Sequence, residues 1–583
     1  MKVYNPQSHF QIHPQITELV HRYRVMKNFH PQEYVDKKIS LLHQYMEKFQ
    51  LKSCIVAVSG GIDSALVLSL VHLASQKPNS PIEKIIAVSL PVSESTGATG
   101  QKEATNRAKE LCQALQIEHT IIELEPTHKT IESSVSKSLN IVSENWALGQ
   151  LVAHTRTPTL YYIATLLTQK KLPAIIIGTT NRDEGLYLGY FGKASDGLVD
   201  IQLISDLHKS EVYQLSHLLN VPQSILEVSP QGDMYDGRID EEVFGASYDF
   251  VEYYLHYLSL DSTIQQFILK SLSLEAQKQF SFFQNNLENL HRYNKHKYLN
   301  ASPAIHLDLD TILIPEGWKT NCLFSQPKEK PIIFDNIVGL FEFKDLPYSF
   351  LANRKIQQYH KKINHQQDIF HLQNVLSSEE CQWLIAQTKD QNWLPANLYG
   401  KQKDFDPISE QEKSHRLSVY NKILAYALWN RISPFIEPYK IFKSSLPIIS
   451  NQQPFWIAKE INPLFRYIRY QPHHSLIVHY DDTYEYHVYK KTLLTVVFYL
   501  DASNAQTRFI IDPQQQISDI NKNFQDWDRL AQKEEVYLQF TAKAGDVLIF
   551  DHRLLHDATP PENMKHILRT DIVFEAPHFG FEL

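Results

Sequence analysis

Residues 57 to 71 read AVSGGIDSALVLSLV, and the adjacent glycines Gly60 and Gly61 in this run constrain the fold more than any other feature of the chain. The apolar stretch SCIVAVS stands before them and the mostly apolar, helix-like stretch IDSALVLSLV follows, so the order is strand, tight turn, helix. Such a turn gathers unpaired backbone N–H groups and the positive end of a helix dipole at one point, which suits a phosphate chain. Glycine lets the backbone come close to that ligand and adopt positive φ. No Gly-Lys-Ser/Thr follows, so this is not a Walker loop.

Around the turn, strand and helix patterns alternate. Residues 1 to about 50 read as helices, and continuous apolar runs at 54–58, 84–92, 119–124 and 174–180 read as strands covered on both faces, with helices such as GQKEATNRAKELCQALQ between them. This rhythm predicts an α/β doubly wound parallel sheet. From 327 to 368 the text breaks into short irregular pieces, a predicted connector. Residues 369–583 hold short alternating segments, FRYIRYQ, LLTVVFYLD, RFIIDPQ, VYLQFTA, DVLIFD and RTDIVFE, which predict a mainly β antiparallel domain. A chain of 583 residues exceeds the ~100–200 usual for one domain, so the predicted division is 1–326, 327–368 and 369–583.

Charge narrows the partners. With 57 basic and 65 acidic residues the net charge is −8, which gives no electrostatic reason to expect nucleic acid. Cys54, Cys112, Cys322 and Cys381 form no Cys-x-x-Cys pair, so neither a disulfide framework nor a cysteine zinc site is expected. The N-terminal residues lack the apolar core of a secretory signal, and no run approaches the ~18 apolar residues of a membrane span. The expectation is a cytoplasmic protein acting on small molecules.

The Ser59-Gly60-Gly61-Ile62-Asp63-Ser64 turn resembles the pyrophosphate loop of the ATP pyrophosphatases, whose fold is adenine nucleotide alpha-hydrolase-like. The segments GTTNRDEGLYLGYFGKASDGLVDIQLISDLHKSEVYQLS (178–216), DMYDGRIDEEVFGASYDFVEYYL (233–255) and HRYNKHKYLNASPAIHLDL (291–309) extend the likeness to NAD synthase, of the ammonia-dependent type, over roughly residues 15–325. The resemblance implies that ATP and Mg²⁺ are cofactors. Ser59, Gly60, Gly61, Asp63, Ser64, Thr179 and Lys209 would hold ATP, and Asp63 and Glu184 would bind magnesium through hard carboxylate oxygens. Arg156, Lys193, Asp196, Asp200 and Lys297 would line the dinucleotide, and Asp63, Glu184, Lys209 and Asp196 would form the catalytic set. The implied reaction adenylates the carboxylate of nicotinate adenine dinucleotide and amidates it with ammonia. A homodimer is implied, and the nitrogen would come as free ammonia or from a separate glutaminase. The chain departs from the family at Gln150, Val152, His154 and Gly192.

The second half carries other chemistry. RYQPHHSLIVHYDDTYEY contains His479-x-Asp481, and GDVLIFDHRLLHDATPPENMKHILRTDIVFE supplies His556 and then Arg569. Two histidines and one carboxylate can make a facial triad for ferrous iron. The whole arrangement, with IFHLQNVLSSEECQWLIAQ at its start, resembles the prolyl-hydroxylase-like branch of the Fe(II)/2-oxoglutarate dioxygenases, which implies a double-stranded β-helix (jelly roll). By that likeness His479, Asp481 and His556 would bind Fe²⁺, while Arg569 and Tyr470 would bind 2-oxoglutarate. His552 is a rival ligand, and His473 and His474 depart from the family pattern. A bifunctional enzyme is the expectation. The alternatives are an amide ligase for another carboxylate, coupled to its oxidation, and a nucleotide-binding chain with only one active domain.

Overall fold

The computed structural model describes residues 10–92, 99–232, 238–297, 305–307, 337, 339–343, 345–362, 367–395, 414–441, 455–472, 474–487, 489–514, 517, 529–541 and 543–576. His473, Cys322 and residues 233–237 of the quoted segment lie outside them.

Two helices, α1 (Pro14–Lys27) and α2 (Pro31–Lys48), lead into β1 (Ser53–Ala57). Then follow α3 (Ile62–Ser75), β2 (Lys84–Ser89), α4 (Thr99–Ala114), β3 (His119–Ile121), α5 (Glu125–Leu139), α6 (Asn145–Gln169) and β4 (Ala174–Gly178). The short strand β5 (Ile201–Gln202), helix α7 (Lys209–Leu218) and β6 (Ile305–His306) complete the unit that matters for the site. The six strands lie in the order β3-β2-β1-β4-β5-β6, and every pair is parallel. The predicted parallel α/β sheet is therefore present. The chain runs outward from β1 to β3, then returns to place β4 on the other side of β1. At this reversal the loops at the carboxyl ends of neighbouring strands part and leave a crevice.

The apolar run after the glycines explains why α3 packs where it does. Ile62, Ala65, Leu66, Val67, Leu68, Leu70, Val71 and Ala74 are all buried, so this helix is apolar around most of its circumference and fits only between the sheet and other helices. Each buried Leu, Ile or Val contributes about 1.5–3 kcal/mol, so the helix that starts at the glycine turn is strongly anchored. Cys54 is fully buried in β1 against Met46, and burial pushes its thiol pKa up; it is a core residue.

The second half is mostly β. Its strands are β7 (Leu340–Phe341), β8 (Gln357–Lys362), β9 (Asp368–Gln373), β10 (Leu394–Pro395), β11 (His415–Tyr420), β12 (Tyr439–Ile441), β13 (Phe455–Ile461) and β14 (Leu464–Tyr470). They continue with β15 (Leu476–His479), β16 (Glu485–His487), β17 (Lys490–Tyr499), β18 (Gln506–Ile510), β19 (Val536–Thr541), β20 (Val547–Asp551), β21 (His556–Ala558) and β22 (Lys565–Glu575). Among the described residues the main path of the large sheet is β10-β11-β14-β22-β17-β20-β9-β8, and a second sheet has the order β15-β21-β18-β19. Residues 340–341 and 357–362, inside the expected connector, join the large sheet through β11 and β9.

The two halves touch. Helix α1 packs against helix Tyr248–Ser259 of the first half and helix Lys422–Ile432 of the second. Lys422 Nζ lies 2.7 Å from Asp261, and Asn28 Nδ2 donates to the Ile436 carbonyl at 3.2 Å. Among the described residues no helix is long and apolar enough to cross a membrane.

Candidate functional site

The glycine turn lies between β1 and α3, as its sequence requires. Gly60 has φ +78°, and a Cβ added there would stand 2.1 Å from the Ala104 carbonyl oxygen, so no other residue fits without displacing α4. Arg107 Nε donates to the Gly60 carbonyl at 3.0 Å and clasps the turn from α4. Inside the turn, the Ser59 N–H donates to Ser64 Oγ at 3.2 Å, and Ser64 Oγ lies 3.0 Å from the Gly61 carbonyl. These bonds brace the entry to α3, whose first turn carries Asp63.

Asp63 meets the residues that follow β4 at the adjacent strand end. Asn181 Nδ2 donates to Asp63 Oδ1 and to Glu184 Oε1, each at 2.8 Å. Lys209, the first residue of α7, places Nζ 2.6 Å from Asp63 Oδ2 and 2.8 Å from Glu184 Oε1. Tyr248 donates from its hydroxyl to Glu184 Oε1 and Asp240 Oδ2, both at 2.8 Å, and its ring lies under the Lys209 ammonium, 4.9 Å away. The lysine thus links carboxylates from two strand ends, brought together over 146 and 25 residues of chain.

Burial and neighbouring charge set the protonation of this cluster. Burial pushes the Glu184 pKa up to about 7, with Lys209 pulling it down and Asp63 raising it further. For Lys209 burial opposes the charge, yet Asp63, Glu184 and Asp240 outweigh it and hold its pKa above the ordinary lysine value. Behind the site, Asp183 accepts from the Lys209 backbone N–H at 2.7 Å and pairs with His208 Nδ1 at 2.6 Å. His208 Nε2 lies 3.0 Å from the Tyr23 hydroxyl, and burial depresses its pKa to about 3. The imidazole is therefore neutral, and the helix start that aims Lys209 is fixed from α1.

The remaining expected residues divide. Thr179 follows β4 directly, and Arg156 Nε donates at 3.1 Å to the carbonyl of Leu90, just past β2, so both stand at the carboxyl end of the sheet. Lys193 and Asp196 lie exposed on the turn after the π-helical segment Asp183–Leu188. Lys297 Nζ donates to the carbonyls of Gly189 and Phe191 at 2.9 and 2.7 Å, and Asp196 lies within its electrostatic reach. Asp200 is placed otherwise than expected: its carboxylate accepts from the Ile176 N–H of β4 at 2.7 Å and from the Tyr161 hydroxyl, which ties β4 to α6. Asn181, Asp240 and Tyr248 went unforeseen; only their place inside the quoted segments pointed to them.

A parallel sheet with a glycine turn at its reversal point, a buried lysine and two carboxylates at that crevice defines an α/β protein built around an anionic ligand. Comparison with known proteins narrows the class. A family model described as NAD synthase matches residues 34–301. The NH(3)-dependent NAD(+) synthetase of Alkaliphilus oremlandii is 32% identical over 230 residues, which cover 38% of this chain and 85% of that protein. Those of Pyrococcus furiosus and Thermoplasma acidophilum are each 30% identical, over 217 and 213 residues, or 37% and 36% of this chain and 76% and 80% of theirs. The chain belongs to the NAD synthase family.

A second cluster lies where β15 and β21 pair. His479 stands opposite His556 in the register, and one ligand atom from each of His479, Asp481 and His556 lies within 4.8 Å of the others. His479 Nδ1 is 2.7 Å from the Ile477 carbonyl and His556 Nδ1 is 3.0 Å from that of Leu554. A carbonyl only accepts, so both Nδ1 atoms carry hydrogen and Nε2 is the ring atom of each that bears the lone pair a metal would take. Each Nε2 lies 3.7 Å from an Asp481 oxygen. Burial opposes the Asp481 charge, but Arg569 and the histidines overcome it and hold the carboxyl well below the usual range. This two-nitrogen, one-carboxylate donor set fits a divalent transition metal. The rival His552 turns instead to Asp571, 3.3 Å from Nε2.

Arg569 Nη2 lies 2.7 Å from Asp481 Oδ1 and 3.5 Å from Asp571. Tyr470 is buried in β14, directly paired with Lys565 of β22. Lys565 is only 2% exposed, lies 5.5 and 5.3 Å from the ring centroids of Tyr470 and Tyr499, and makes no ion pair among the described residues. Burial lowers its pKa to about 8. The segment RTDIVFE predicts a strand that begins at Arg569, whereas β22 starts at Lys565. The signal was the alternation Lys565, Ile567, Arg569, Asp571 on one face.

Proposed function

We propose that the first half is an ammonia-dependent NAD synthase. The observation that carries this reading is Lys209 held between Asp63 and Glu184 beside the glycine turn. Asp63 and Glu184 would hold magnesium, since their oxygens already converge on one cation, the lysine ammonium. When bound, the metal supplies charge neutralisation at the phosphates. The turn from Ser59 to Ser64 cradles the triphosphate with its backbone N–H groups, and Thr179 lies beside the nucleotide. Lys209 offsets the repulsion between substrate carboxylate and ATP, so that a carboxylate oxygen can attack the α-phosphorus as pyrophosphate leaves. Ammonia then attacks the acyl carbon and AMP departs. Arg156, Lys193, Asp196 and Lys297 face the dinucleotide, whereas Asp200 acts through the framework. The purified chain with Mg-ATP, ammonium and nicotinate adenine dinucleotide should form NAD and pyrophosphate in equal amounts; no product with this dinucleotide would overturn the reading. A homodimer and delivery of ammonia by a separate glutaminase belong to the same proposal.

For the second half we infer an Fe(II)/2-oxoglutarate oxygenase on a double-stranded β-helix, spanning about residues 340–576. The paired His479 and His556, with Nε2 atoms turned to Asp481, support this reading. An iron ion there supplies, when bound, the redox chemistry that decarboxylates 2-oxoglutarate to succinate. Arg569 is engaged by Asp481 and so balances the ligand carboxylate. Lys565 beside Tyr470 is the better partner for the distal carboxylate of 2-oxoglutarate, being buried and cationic and having no ion pair among the described residues, whereas Arg569 is already paired. Anaerobic titration with Fe(II) should give one iron per chain with 2-oxoglutarate bound to it, and absence of iron binding would overturn this half of the proposal.

A further inference from the structure

Helix α1 is 14 residues long, a length at which a helix is marginal on its own in water, so its place is set by what packs on it. Part of it grips the start of α7. Tyr23 Oη lies 3.0 Å from His208 Nε2, and Lys27 Nζ lies 2.6 Å from Glu211 Oε1. His208 caps α7, and the Glu211 carboxylate accepts from the His208 N–H at 2.9 Å. Lys209 stands between them, its backbone N–H on Asp183 and its ammonium on Asp63 and Glu184. The turn that aims this lysine is thus pinned from α1 at two points, and Tyr23, His208, Lys209 and Glu211 are all buried.

Other residues hold α1 to the second module. Asn353 donates to Glu18 near its start, and Asn28, its left-handed C-cap, donates to the Ile436 carbonyl at 3.2 Å. Met26 of α1 and Ile423 of helix Lys422–Ile432 each pack against the cores of both modules. Tyr426 of that helix stacks on His256, with ring centroids 6.1 Å apart and planes 23° apart, and His256 stacks on Tyr23 at 4.3 Å and 15°. Three rings therefore run from the second module to the hydroxyl that meets His208. A misplacement of about 1 Å in a positioning group can cost about 100-fold in rate, so this path bears on the chemistry.

We propose that the second module is part of the scaffold of the first module's site, with Tyr426, acting through His256 and Tyr23, as a positioning residue for Lys209. The inference rests on the NAD synthase reading of the first half. His479, Asp481 and His556 have no part in the path.

Steady-state NAD formation and hydrogen exchange, both on the full chain, test it. Tyr426→Leu and Tyr23→Phe should each lower kcat at least about fivefold, with KM for nicotinate adenine dinucleotide within about twofold of the parent. Tyr426→Phe keeps the ring and should stay within about twofold in kcat. Because both residues act through one hydroxyl, the double variant Tyr23→Phe/Tyr426→Leu should lose no more than the larger single loss; losses that multiply overturn the inference. The Lys209, Glu211 and Val212 amides, bonded to Asp183 and to the His208 carbonyl, should exchange at least about tenfold faster in both single variants, with β17 and β20 unchanged as the control for folding. Exchange or kcat unmoved by Tyr426→Leu overturns the inference, as does a Tyr426→Phe chain no better than the leucine variant. A parent chain that makes no NAD, with exchange still quickened in the variants, sinks the NAD synthase reading and keeps the structural path. If Tyr426→Leu disturbs β17 and β20, Asn28→Gly, which suits the left-handed cap and loses the bond to Ile436, must lower kcat and quicken the same amides, or the inference falls.

Discussion

His479 and His556 face each other across the β15–β21 pair with ring centroids 4.2 Å apart, each giving its Nδ1 hydrogen to the carbonyl two residues earlier. That bond fixes the ring and leaves Nε2 as the donor to a metal. Replacing either histidine by alanine should weaken Fe(II) at least about 100-fold, measured by anaerobic titration. NAD formation should stay within about twofold of the parent, because neither residue belongs to the first module. Unchanged iron affinity in both variants would exclude these ligands.

Lys209 is held by Asp63 and Glu184 and, among the described residues, is the cation that links the two strand ends of the crevice. Lys209→Met should lower kcat for NAD formation about 100- to 1,000-fold, the range for losing one preorganised electrostatic partner. A fall below about tenfold would show that the lysine is only structural. Thermal unfolding must be followed in parallel, since removing one partner of a buried pair can cost about 3–5 kcal/mol.

Parallel strands covered on both faces are written as continuous apolar runs, and this is why β1, β2 and β4 were legible within a few residues of their ends. The Asp63, Glu184 and Lys209 set was legible only through the family motifs. No local pattern could announce Tyr248 or Asn181, whose bonds to Glu184 and Asp63 span 64 and 118 residues. Strand β8, QQYHKK, was hidden in the predicted connector because it is an edge strand, largely exposed and polar, and such edges need no apolar alternation. Lys565 escaped notice for the opposite reason: lysine is almost never fully buried, so its place inside a strand could not be inferred from residue type.

Gly60→Ala tests the turn itself. At φ +78°, with the Ala104 carbonyl 2.1 Å from the added methyl, the substitution must strain the backbone and push α4 away. The cost should be about 2 kcal/mol or more, visible as a lower denaturant midpoint, and ATP affinity should fall with it. Gly61→Ala is the contrast, since the nearest atom to its added Cβ, the Ser59 hydroxyl oxygen, is 3.4 Å away and φ is ordinary. Equal losses in the two variants would mean that the turn is not shaped as described.

The titration of Lys565 gives a pH prediction with a definite sign. Burial lowers its pKa from 10.5 to about 8, so the folded protein loses this proton at lower pH than the unfolded chain. Between about 8 and 10.5 the unfolded state binds the extra proton, and this residue's contribution to stability therefore rises with pH across that window. Binding runs the other way, because 2-oxoglutarate needs the ammonium. Its affinity should be flat below pH 7 and fall about tenfold between pH 7 and 9 as the site gives up its charge, with the complex holding the proton to higher pH than the free protein. Lys565→Arg removes the titration and should flatten the profile over that range. A wild-type profile that stayed level from pH 7 to 9 would place the distal carboxylate elsewhere, with Arg569 as the next candidate once a metal draws Asp481 away from it.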